Sequence, residues 1–132
     1  MNVNAMGSCI LKVYEDLGGW PEMTMPEHLL RLVSEINDAN ASYKVMKKYG
    51  FGLIYGTCAI NRNDCEYSNR CDVPEKDRAT ACHPQGLAFR LADILMYTMA
   101  VMTELGIDVD AVVTAEYKYL AHKAEEARHG ED

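Results

Sequence analysis

Four stretches of helical apolar periodicity, each closed by glycine, constrain this chain more than anything else in it. The clearest start lies at Thr24-Met25-Pro26-Glu27. Thr24 carries the side-chain oxygen that an N-cap needs, and Glu27 stands three residues on, at capping-box spacing. Pro26 falls in the first turn, where its missing N–H costs nothing. Leu29, Leu32, Val33, Ile36, Ala39 and Tyr43 then form one stripe down to about Lys48, and Gly50 stops the helix. A helix is likewise expected over Val3 to Leu17, apolar at Ile10, Leu11, Val13, Tyr14 and Leu17, with Gly18-Gly19 closing it. A third runs from about Leu87 to Leu105, where Leu91, Ile94, Leu95, Val101, Met102 and Leu105 share a broad face and Gly106 caps the end. The fourth begins near Asp108-Val109-Asp110, acidic residues suited to the positive end of a helix dipole. It continues through Val113, Tyr117 and Leu120 to about Arg128, before Gly130. Only Phe51 to Ile60 looks β-like, and the glycines at 50, 52 and 56 weaken it. The expected fold class is all-α.

A chain of 132 residues supports one domain, 1–132, built on one core. Its 48% apolar and 25% charged residues are ordinary for a soluble globular protein. No 18-residue apolar run exists, so a membrane span is not expected. Met1-Asn2-Val3-Asn4 offers neither a basic nor an apolar signal region, which points to a cytoplasmic location. Twenty acidic against thirteen basic residues leave a net charge of −7, unsuited to a nucleic-acid polymer, whose phosphates need clustered Lys and Arg. That charge is compatible with a nucleotide accompanied by a cation. Four short amphipathic helices bury little apolar surface alone, so a homo-oligomer is expected.

Between the second and third helices lies a connector over about 49–86, far longer than the ~2–8 residues usual between helices. It holds Cys58, Cys65, Cys71 and Cys82, while Cys9 stands alone near the start. With no signal region a disulfide framework is not expected. Four thiolates followed by His83 are enough for a tetrahedral Zn²⁺ site that would staple a connector poor in apolar residues. None of the spacings is the tight knuckle of two to four intervening residues, and small buried thiols are the alternative.

Candidate chemistry lies on the second and third helices. Glu35 and Asp38 are spaced i, i+3, so their carboxylates project from one side. Asp93 stands at the margin of the third helix's apolar face, with Tyr97 one turn later and Glu104 further on. A bundle bringing these carboxylates together would suit Mg²⁺, which keeps several waters and takes further ligands from substrate phosphates. Arg31, four residues before Glu35, gives the alternative of a simple exposed ion pair. Asn37 and Asn40, beside the stripe, need partners in a buried network or a ligand. His28 and His122 read as solvated or helix-face histidines, and the methionines, Met96, Met99 and Met102 among them, as core and contact fillers.

Leu32-Val33-Ser34-Glu35-Ile36-Asn37-Asp38-Ala39 resembles the first signature of the MazG-like all-α nucleotide pyrophosphohydrolases, Ser-Glu-x-x-Glu-Ala. The run His83-Pro84-Gln85-Gly86, leading to Leu91-Ala92-Asp93-Ile94-Leu95, is similar to their second, Lys-Pro-x-Gly followed by Glu-Leu-Ala-Asp and an apolar residue. Gly106-Ile107-Asp108-Val109 resembles their Gly-Ile-Asp-Leu turn, Gly19-Trp20 their lead into the capped helix, and Lys118 with Arg128-His129-Gly130 their ending. The resemblance spans nearly the whole chain except the cysteine-bearing connector. It implies a four-helix-bundle-type fold assembled as a homodimer or dimer of dimers. It also implies hydrolysis of (deoxy)nucleoside triphosphates to the monophosphate and pyrophosphate. Glu35, Asp38 and Asp93 would then hold Mg²⁺, or Mn²⁺ in its place, the attacking water being activated by one carboxylate or by the metal. Lys118 and Arg128 would offset phosphate charge.

The departures from the family pattern are as specific as the matches. Arg90 replaces the first glutamate of the second signature, and a guanidinium cannot ligate a metal; it would bind phosphate or pair with Asp93. Asp38 replaces a glutamate and is one methylene shorter, His122 stands for an asparagine and Glu125 for an arginine. The separation of Asp38 from Arg90 exceeds that usual in the family. These changes give a second expectation, a degenerate member that binds a nucleotide or a protein partner without turnover.

Overall fold

The structure, a computed structural model, describes residues 2–50, 53 and 86–130. They form four helices, α1 (Val3–Leu17), α2 (Met25–Tyr49), α3 (Leu87–Glu104) and α4 (Val109–His129), and no strand among the described residues. The all-α expectation therefore agrees with the architecture, and the helix ends fall within a residue of those read from the sequence. Cys58, Cys65, Cys71, Cys82, His83 and the β-like stretch other than Leu53 lie outside the described residues. No described helix is long and apolar enough to cross a membrane.

Glycine sets the helix ends by taking backbone conformations that other residues avoid. Gly106, at φ 74°, closes α3: its N–H donates to the Thr103 carbonyl and that of Ile107 to the Met102 carbonyl, the paired bonds of a Schellman motif. Gly86, at φ 115°, precedes α3, and its carbonyl accepts from the N–H groups of Phe89 and Arg90.

The described chain divides into two compact units. The first joins residues 1–24 to 96–132, so it holds α1, the second half of α3 and α4. Its core comprises Ile10, Trp20, Tyr97, Met99, Ala100, Val101 and Val109. Tyr14, Trp20 and Tyr97 meet as a trio, with ring centroids 5.2–5.5 Å apart and Tyr97 edge-on to Tyr14. Such ring pairs add ~0.5–1.5 kcal/mol beyond the area they bury. Gly7 lets α1 approach α3 closely, since a Cβ there would lie 2.6 Å from Thr103 Oγ1. Asn4 ties the start of α1 to the start of α4. Its Oδ1 accepts from the N–H groups of Val109 and Asp110 at 2.8 and 3.3 Å, and its Nδ2 donates to Asp108 Oδ1 at 2.8 Å. Asp108 is itself the N-cap, accepting from Ala111 N–H at 3.0 Å. These bonds hold the Asp108 carboxyl below the usual carboxylate range, the Asn4 bond contributing most and the Ala111 bond next.

The second unit spans residues 25–95, with α2 and the first half of α3. Here the burial differs from the sequence reading. Leu29, Val33, Ile36 and Tyr43 of the expected stripe are exposed. The less accessible line of α2 runs instead through His28, Leu32, Glu35, Ala39, Ser42 and Met46, at alternating spacings of three and four that keep one face. His28, expected as a solvated or helix-face histidine, is not solvated: it is only 2% exposed, because its register matches Ala39 on that line. The expected Leu91 and Leu95 on α3, and Leu105 just after it, are exposed, and the inner line follows Arg90, Asp93, Ile94, Tyr97, Ala100 and Val101.

Candidate functional site

Both inner lines carry polar residues, among them the candidates Glu35 on α2 and Arg90 and Asp93 on α3. Asp38, Ala41, Ser42 and Val45 follow one face of α2 at i, i+3, i+4 and i+7, and with Arg90 of α3 they line an open depression of about 180 Å³. Arg90 sits in the first turn of α3, whose start is anchored by Gly86 and by the Ala88 N–H donating to the Leu53 carbonyl at 3.1 Å. Two residues more than fifty positions apart are thus brought to one surface recess. Asp38 is exposed and Arg90 half-buried.

Glu35 lies one turn before Asp38 on α2. Its carboxylate faces Arg31, with Nε to Oε1 at 3.8 Å, and its side chain is 17% exposed. The i−4 ion pair read from the sequence is therefore present, with the glutamate end sheltered and the arginine end open. Asp93, three residues after Arg90, is half-buried on the inner line of α3. Among the described residues, no group of three or more His, Cys, Asp or Glu side chains gathers as a metal site. Glu35, Asp38 and Asp93 do not form a ready-made carboxylate cage.

Lys118 and Arg128 are exposed on α4, in the first unit. Arg128 Nη2 lies 3.7 Å from Glu125 Oε1, and His122 Nε2 lies 3.0 Å from Glu126 Oε1. Cys9 is an exposed free thiol on α1.

The recess pairs a carboxylate with a guanidinium. A guanidinium presents N–H groups in a planar fork that matches two phosphate oxygens at once, whereas a carboxylate repels phosphate unless a cation lies between them. At about 180 Å³ it is smaller than the ~300–1,000 Å³ of sites that enclose a drug-sized ligand. Ala41, Ser42 and Val45 were not singled out from the sequence, although their spacing from Asp38 was a usable signal. No protein-family model, curated protein or solved structure matches this chain.

Proposed function

We propose that the chain is a MazG-like protein that takes the phosphates of a (deoxy)nucleoside triphosphate at the Asp38–Arg90 recess and hydrolyses it to the monophosphate and pyrophosphate with Mg²⁺ or Mn²⁺. The observation supporting this reading is that Asp38 and Arg90, from the segments resembling the two family signatures, line one recess. Glu35, Asp38 and Asp93 are the proposed metal ligands. Because the three do not gather as one group among the described residues, the ion would take one or two of them and complete its shell with water and phosphate. Such a cation, when bound, supplies positive charge beside the phosphates. Arg90 would bind a phosphate directly, through its fork, and orient the chain of phosphates across the recess.

A second reading, binding without turnover, is favoured by Arg90 itself, which stands where the family carries a metal-binding glutamate. One pair of measurements separates the two. Incubation with each ribo- and deoxynucleoside triphosphate in Mg²⁺ or Mn²⁺ is expected to release pyrophosphate from at least one, and Asp93→Asn is expected to abolish that release. Calorimetry with a non-hydrolysable triphosphate then reports affinity with and without the ion. Metal-independent binding with no pyrophosphate from any substrate rejects the hydrolase in favour of the binder.

A further inference from the structure

The Asp38–Arg90 recess carries two opposite charges, and among the described residues neither has an ion-pair partner. Arg90 is half-buried, and Asp93, three residues on, does not take up its guanidinium. A half-buried guanidinium without a counter-charge is costly, and an oxyanion is the ligand that its N–H fork fits. The N–H groups of Ala88, Phe89 and Arg90 already donate to the carbonyls of Leu53 and Gly86. Donors for an anion in this recess are therefore side chains, the Arg90 fork and the Ser42 hydroxyl. The local charge favours an anion too. After Asp38, α2 carries Lys44, Lys47 and Lys48 and no carboxylate, a basic stretch in a chain of net charge −7.

Asp38 decides which oxyanion fits. An ionised carboxylate only accepts hydrogen bonds, so against a fully ionised oxyanion it sets lone pair against lone pair. A terminal phosphate retains one proton up to about pH 6, where its second ionisation falls. That proton can be donated to a carboxylate, in an O–H···O⁻ bond of the stronger, charge-assisted kind. Sulfate and the internal phosphates of a polyphosphate have no such proton.

We propose that the recess, free of metal, selects a phosphate group that still carries a proton: Arg90 and Ser42 donate to its oxygens, and Asp38 accepts from its O–H. Arg90 and Ser42 thus supply affinity for an oxyanion, and Asp38 supplies the choice among oxyanions. This inference rests on the reading that the recess takes phosphates, and it adds a direction to that reading. The terminal phosphate of a nucleoside triphosphate, not the inner two, occupies the recess before any metal enters. No turnover is required.

Chemical-shift titration of the full chain by NMR tests this, in EDTA at about pH 6 with ionic strength fixed by chloride. The probes are inorganic phosphate, sulfate and a nucleoside monophosphate. Phosphate is expected to bind about tenfold more tightly than sulfate, the scale set by one unsatisfied charged group. Asp38→Asn, at an exposed position, offers sulfate a donor and is expected to bring the two within about twofold of each other. Ser42→Ala is expected to weaken both severalfold and keep their ratio, and Arg90→Gln to abolish both. A monophosphate bound more tightly than inorganic phosphate makes a nucleotide the source of the group, and otherwise the source is free phosphate; either result supports the selection. Sulfate bound as tightly as phosphate, no binding of either, or an Asp38→Asn protein that keeps the preference would each overturn the proposal. Pyrophosphate release in Mg²⁺ is measured independently, so the hydrolase reading and this one fail separately.

Discussion

Replacing Gly7 by alanine should do opposite things to stability depending on what occupies position 103. In an isolated helix the added methyl group stabilises by about 1 kcal/mol, because glycine loses more conformational freedom on folding. In this chain the Cβ would stand 2.6 Å from Thr103 Oγ1, well inside the 3.4 Å at which ordinary contact begins. Thr103 does not yield freely, since its hydroxyl donates to the Met99 carbonyl at 2.8 Å. Overpacking of that kind costs about 1–3 kcal/mol, so Gly7→Ala is expected to destabilise by about 1 kcal/mol net. With Thr103→Ala as background the oxygen is gone, and the nearest remaining atoms lie at 3.7 and 3.9 Å. There the same substitution should stabilise by about 1 kcal/mol, a swing of about 2 kcal/mol between backgrounds. Urea unfolding followed by far-UV circular dichroism on the four proteins measures this, with chain concentration held fixed because any association would shift midpoints. An effect of the same sign in both backgrounds would refute the close approach of α1 to α3 at Gly7.

Asn4→Ala leaves the part-buried Val109 N–H without its acceptor and should cost about 1–2 kcal/mol in urea unfolding. In an Asp108→Ala background the loss should shrink but persist, because Val109 and Asp110 still donate to Asn4. The lowered pKa of Asp108 means that its ionised form is favoured by the folded state, so its contribution is complete above about pH 4 and fades as pH falls through the lowered value. Urea midpoints of wild type and Asp108→Asn measured down a pH series should therefore converge in acid, and a gap that widens there rejects the assignment. If Cys58, Cys65, Cys71 and Cys82 hold a structural metal, protein purified without chelator or a nickel column should carry one zinc per chain by elemental analysis. Substoichiometric zinc and iron would dismiss that reading.

The helices were legible because their ends are chemically marked. Gly18, Gly50 and Gly106 take φ between 72° and 90°, a region costly for other residues, and each follows a run of helical apolar periodicity. Which side of a helix is buried was harder to read. On α2 the apolar residues Leu29, Val33, Ile36 and Tyr43 promised the inward face, yet the line through His28, Glu35 and Ser42 is the sheltered one. Periodicity reports a face that avoids water but not whether the same chain or another covers it. Asn4 gave no signal either, since its partners stand 104 to 106 residues away and a first-turn asparagine is unremarkable locally. For the candidate site, Asp38 and Arg90 were both named from sequence. Their meeting in one recess needed the packing of α2 with the start of α3, which no local pattern encodes.

The division of the first unit into two separated segments has a consequence in time. About 70 residues, 25–95, lie between its two parts. At a synthesis rate of about 5–20 residues per second, α1 emerges roughly 4–14 s before the residues that complete its core. Throughout that interval Ile10 lacks Met99, Ala100 and Val101 as core companions, and the aromatic trio lacks Tyr97. The bonds from Asn4 to the start of α4 form last, closing a loop of more than a hundred residues. A chain arrested after residue 95 therefore holds the whole sequence of the second unit, while α1 waits with an open apolar face for a chaperone to shield.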